Sequence, residues 1–177
     1  FEFKLFSGIR DWNGKVDFSY FPSVRHSVKF GVNYIFHTFT PTSVSAKQGE
    51  TTFDFGKVKK NKAHEASVYI SDDFDLTDKI KLHAGLRYSY FMQIGPFDRY
   101  VKDPVNGQTS NTIHYAPNKN VADYGGLEPR FNIRFEINPK SSVKASYTYN
   151  LQYIHLASLS AITLPTDTWV SCSELVK

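Results

Sequence analysis

Leu127-Glu128-Pro129-Arg130-Phe131-Asn132-Ile133-Arg134-Phe135-Glu136-Ile137 decides the fold. Every odd position is apolar or proline, and every even position is charged or an amide. Successive side chains of a strand point to opposite faces, so this period of two sets one apolar flank against one charged flank. A helix would scatter the same residues around its axis. The next stretch keeps the phase. Val143, Ala145, Tyr147, Tyr149, Leu151 and Tyr153 fall on one flank, and Lys144, Ser146, Thr148, Asn150 and Gln152 on the other. The connector Asn138-Pro139-Lys140-Ser141 is short and turn-like. The two segments predict an antiparallel hairpin of strands longer than the usual five or six residues.

The rest of the chain reads as more of this hairpin. Val16, Phe18 and Tyr20 alternate with Lys15, Asp17 and Ser19, while Phe1, Phe3 and Leu5 lie on the opposite parity. The phase therefore flips within Ser7–Gly14. One bulged strand explains this better than a hairpin turning at Asp11-Trp12-Asn13-Gly14. After a turn at 21–25, a strand is predicted over about His26–Phe39, with Val28, Phe30, Val32, Tyr34 and Phe36 on its apolar face. Thr40–Lys62 reads as a long polar connection. A strand follows near 63–73, then a short turn over Asp72–Asp78. Lys79–Met92 is another long strand, and 93–122 reads as a second long polar loop. Beyond about Leu156 the alternation fades.

Short and long connections thus alternate. Short turns gather at one end of the strands and long loops at the other, the asymmetry of outer-membrane barrels. Alternation alone leaves open which face is wet, because a soluble lipocalin-type barrel turns its apolar face inward. Three features favour the membrane. The predicted strands reach about 11–15 residues, where a tilted membrane strand needs about 9–11. Tyr and Phe cluster near strand ends, at Tyr20 and Phe21, Tyr34 and Phe36, and Tyr88 and Tyr90. The apolar face is nearly uniform, whereas the interior of a small barrel mixes small with large residues.

Composition agrees. The 177 residues suffice for one sizeable domain, expected to be a β-barrel domain over 1–177. Aromatics make up 16%, which suits strands and interfacial girdles. With 41% hydrophobic residues, no apolar run approaches the length of a transmembrane helix, which excludes helical spans only. The net charge of +4 is dispersed, which disfavours nucleic-acid binding. Cys172 is the single cysteine, so neither an internal disulfide nor a thiol metal cluster is expected. The histidines (His26, His37, His64, His83, His114 and His155) show no metal-ligand spacing; His64 beside Glu65 comes nearest, and neighbours in a strand face opposite ways. No cofactor is expected. No nucleophile elbow, phosphate loop or carboxylate pair appears, so an enzyme is not expected.

Several stretches resemble strands of TonB-dependent outer-membrane receptors, in their Bacteroidota-type branch. They are Ser7-Gly8-Ile9-Arg10-Asp11-Trp12, Val28-Lys29-Phe30-Gly31, Leu86-Arg87-Tyr88-Ser89-Tyr90-Phe91 and Leu127-Glu128-Pro129-Arg130-Phe131. The most specific piece is Tyr153-Ile154-His155-Leu156 followed by Leu164-Pro165-Thr166-Asp167-Thr168-Trp169-Val170. The resemblance implies a 22-stranded barrel plugged by a globular domain. It implies nutrient uptake across the bacterial outer membrane, driven by the TonB complex through that plug. Implied partners are membrane lipids, lipopolysaccharide and a surface lipoprotein. About six or seven strands are predicted here, with no plug domain and no TonB box, so a fragment of the barrel is expected. A receptor-like structural subunit of an outer-membrane assembly and a soluble ligand-binding barrel are the alternatives.

On the membrane reading, Glu128, Arg130, Asn132, Arg134, Glu136 and Lys144 face the lumen, where they pair with a plug or steer an anionic ligand. The plainer reading is a solvated wall with cross-strand ion pairs. Asp167 and Trp169 are candidate ligand contacts in an outer loop, weighed against a loop that packs on its own barrel.

Overall fold

A computed structural model describes residues 2–48, 51–54, 59–103, 107–157 and 168–171. Among these residues it contains strands and no helix. The strands are β1 (Glu2–Ser23), β2 (His26–Gln48), β3 (Thr51–Asp54), β4 (Asn61–Thr77), β5 (Ile80–Ile94), β6 (Phe97–Lys102), β7 (Thr109–Tyr115), β8 (Asn120–Asn138), β9 (Ser141–Thr148), β10 (Ile154–Ala157) and β11 (Thr168–Ser171). The main sheet is an open antiparallel meander in the order β1-β2-β4-β5-β8-β9, with β3 paired to β2. β6 pairs with β7 and β10 with β11 as separate ribbons.

Three tight turns join the wall strands at one end, each with a side-chain acceptor at its start. Ser23 Oγ accepts from Arg25 N at 3.2 Å. Thr77 Oγ1 accepts from Ile80 N at 3.0 Å. Asn138 Oδ1 accepts from Lys140 N at 2.9 Å. Short polar side chains that capture a backbone N–H two or three residues on are the usual makers of such turns.

β1 is one continuous strand and not a hairpin, but the bulge expected in it within Ser7–Gly14 is not there: at the nearest register shift the extra residue lies on β2. Its register with β2 shifts between Phe6 and Gly8, where Ser7 faces both Pro41 and Thr42. Pro41 has no N–H to give the ladder, so the irregularity falls where the ladder is weakest.

Four further expectations need correction. The acidic run Asp72–Asp78 reads as a turn, yet β4 continues to Thr77. Its carboxylates are met by basic side chains on neighbouring strands, Asp73 by Lys29 at 3.6 Å and His83 at 2.6 Å, and Asp75 by Lys81 at 3.3 Å. Thr40–Lys62 is not all loop, because β2 runs to Gln48 and folds against β3. Within 93–122, β5 runs to Ile94, β6 and β7 form a ribbon, and β8 begins at Asn120. Lys59 and then His114 pair with Asp98 of that ribbon and hold its carboxyl below its ordinary range.

The fourth of these concerns the opening hairpin. Its second strand was expected to reach Tyr153, but β9 stops at Thr148. Tyr149 N donates to Pro129 O at 3.1 Å, and proline has no N–H with which to return the bond. The ladder therefore ends at Pro129. The chain leaves the sheet there, and Leu151 and Tyr153 pack on the polar face instead of the apolar one.

Candidate functional site: the polar wall

Register places the even positions of β8 in rows with the odd positions of β1, β2, β4 and β5. One row runs Asp17, Gly31, Tyr69, Arg87, Glu128. The next toward the tight turns runs Ser71, Gly85, Arg130, Thr148. Beyond it lie Asp73, His83, Asn132, Ser146, and then Asp75, Lys81, Arg134, Lys144. All these side chains project from one face.

The buried polar groups lie on that face, away from the tight turns, while Asn132, Arg134 and Lys144 nearer the turns are exposed. Glu128 is 3% exposed, and Ser67, Ser89, Gln93 and His37 are buried with it. The opposite face carries Val16, Phe18, Phe30, Val32, Val68, Ile70, Leu86, Tyr88, Leu127 and Phe131, all exposed. This inverts the ordinary soluble arrangement.

A charged web ties the wall together. Arg87 lies between two carboxylates, 3.6 Å from Glu65 and 3.9 Å from Glu128. Glu128 also meets Arg130 at 3.6 Å and accepts from Ser89 Oγ at 2.6 Å. His37 joins three strands, its Nδ1 2.8 Å from Asp11 and its Nε2 3.4 Å from Glu65. Buried charges persist only when they are paired. Each carboxylate here has a basic neighbour, while Arg87 Nε and His37 Nε2 are buried without a hydrogen bond. Lys15, Asn33, Ser67, Tyr69, Arg87 and Arg130 line a cleft of about 330 Å³ on this face.

Gly31 permits one of these links. Tyr69 of β4 reaches across β2 and donates to Asp17 Oδ1 on β1 at 2.5 Å. A Cβ on Gly31 would stand 2.5 Å from Val16 O and 3.0 Å from Tyr69 Cε1. Gly31→Ala is expected to destabilise the sheet by about 1–3 kcal/mol and to break the Tyr69–Asp17 bond. Thermal unfolding of the full-length protein in detergent checks this, with Gly14→Ala, where nothing lies within 4 Å, as the neutral comparison.

The sequence-derived candidates fare differently. Glu128 and Arg130 sit inside the ion-pair web. Asn132, Arg134 and Lys144 lie on the same face, exposed, with Arg134 directly opposite Lys144. Glu136 faces Ser142 and is half-buried. The backbone of Trp169 pairs with that of Leu156 in the β10–β11 ribbon. Asp167, Cys172 and the side chain of Trp169 lie outside the described residues. Sequence reasoning finds no site role for His37 and does not mark Glu65, Arg87 or Ser89 as site residues. Their signal is positional: each stands at polar parity, and sliding the strands into register sets acid beside base.

The main sheet is a meander of long strands with one apolar face and one charged face. A family model described as TonB dependent receptor-like, beta-barrel matches residues 3–162, and the chain belongs to that family. Comparison with curated proteins and with solved structures found no match.

Proposed function

We propose that this chain forms part of the transmembrane wall of a TonB-dependent importer in the bacterial outer membrane. Its apolar face meets lipid, and its polar face lines the bore. The full protein carries a plug domain that couples to the TonB complex, and the longer hairpins face outward with lipopolysaccharide and a surface lipoprotein as neighbours. The work is physical: paired strands satisfy every backbone group within hydrocarbon, and the charged wall receives the plug and the passing nutrient. Glu128, Arg130, Asn132, Arg134, Glu136 and Lys144 belong to that lumen surface.

One observation carries this reading, the inverted burial of the two faces. The dimensions support it. Val28 to Phe36 spans about 26 Å along β2, or about 20 Å across a bilayer at a ~40° tilt, close to the ~25 Å apolar band of known barrels. Polar groups on the apolar face lie toward its margins and are paired, His26 with Asp72 at 2.7 Å and Tyr34 with His64 at 2.6 Å.

The full-length protein is expected to fractionate with outer membranes and to stay monodisperse only in detergent. Size-exclusion chromatography with and without detergent tests this. A monodisperse species in plain buffer overturns the membrane reading in favour of a soluble barrel.

A further inference from the structure

The chain beyond β9 carries an inference of its own, which rests on the bore reading. We propose that residues 149–157 form an inward strap, anchored by Tyr153, that closes part of the bore on the long-hairpin side. Passage of a ligand then requires Tyr153 to leave the wall.

Four contacts hold the strap down. Tyr153 is 6% exposed and stacks on Phe91 of β5, with ring centroids 5.3 Å apart and planes 10° from parallel. Its hydroxyl lies 2.8 Å from Ser89 Oγ and donates to the Ser89 carbonyl at 3.2 Å. Leu151 fills the space above Gly126, where a Cβ would come within 2.6 Å of its Cδ1. Arg130 Nη2 donates to Asn150 Oδ1 at 3.0 Å.

Every one of these contacts falls on the polar face. Phe91 shares its parity with Arg87 and Ser89, and Gly126 shares its own with Glu128 and Arg130. Phe39, Ala63, Phe91 and Tyr153 make a buried cluster, flanked by Tyr124, Leu151 and Ile154. This is an apolar patch on an otherwise charged wall, placed where the strap lands. The crossing continues past the patch. β10 pairs with β11, and β11 lies beside β1 and β2, at the far side of the sheet from β9.

The bonds at Ser89 also join the strap to the wall's ion pairs. Ser89 Oγ gives its proton to Glu128, which Arg87 and Arg130 flank. The anchor is one aromatic ring in an apolar patch with its hydroxyl on the polar wall, strong enough to hold shut and small enough to be displaced by a competing ring or hydroxyl-bearing ligand.

Cysteine accessibility in intact cells tests the strap. The full-length receptor is produced with Cys172→Ser and Ser67→Cys. Ser67 is 5% exposed and is the cross-strand partner of Ser89, so it lies at the strap's edge. The probe is a sulfonated, membrane-impermeant maleimide. Labelling is expected to be slow with Tyr153 in place and about five-fold faster with Tyr153→Phe, which keeps the stack and loses the hydroxyl bonds. Tyr153→Ala is expected to speed labelling at least fifty-fold. Equal rates in Tyr153 and Tyr153→Ala receptors overturn the strap. If Tyr153→Ala does not reach the membrane, Tyr153→Phe decides by the same criterion. A separate receptor with Lys140→Cys, at a tight turn, reports on the bore reading itself. Its labelling without permeabilisation would overturn the assigned orientation, a result independent of Tyr153.

Discussion

Val68→Arg is expected to cost the folded barrel about 2–4 kcal/mol, the cost of a cation near the bilayer midplane on the lipid side. Val68 is 53% exposed and stands mid-band in the row Val16, Val32, Val68, Tyr88, Leu127. In a soluble barrel with this face in water, the same change would be worth a few tenths of a kcal/mol and would improve solubility. Asn132→Arg, on the opposite face, is the comparison and is expected to stay within about 0.5 kcal/mol. Denaturant titration of the full-length protein folded into lipid vesicles measures both. A Val68→Arg protein as stable as the parent rejects lipid contact at this face.

The second large effect is expected at Arg87. Arg87→Met removes the cation shared by Glu65 and Glu128 and leaves Glu128, almost wholly out of water, with Arg130 as its one remaining cation among the described residues. Removing one partner of a buried ion pair typically costs about 3–5 kcal/mol, most of it the stranded charge. The double variant Arg87→Met with Glu128→Gln is expected to recover more than half of the loss, because the carboxylate goes with its partner. The same titration gives the double-mutant cycle. Additive losses in the double variant would show that Arg87 acts by packing and not by charge.

Much of the architecture was legible in alternation alone. The parity of Val28 to Phe36, of Ile80 to Met92 and of Leu127 to Ile137 sorted most side chains to the correct face. What escaped was decided between strands. Asp72, Asp73 and Asp75 look like turn formers singly and become strand residues only when His26, Lys29, His83 and Lys81 are brought opposite or diagonal to them. Leu151 and Tyr153 continue the apolar parity of Val143 to Tyr149. Pro129, twenty residues earlier, withholds the bond that would have kept them in the sheet. The ion-pair web was partly visible as charges at polar parity, but the burial of Glu128 and His37 depends on neighbours from three or four strands.

Along the path β1-β2-β4-β5-β8-β9 each strand bonds to its neighbours in that order, and β3 alone among the described strands is added to it, on β2. Such a wall can gain or lose a two-strand unit without rethreading any other part of the chain. The circumference of the channel is then adjustable in steps of two strands by duplication or deletion, and recombination between relatives can exchange such units while each keeps its own tight corner.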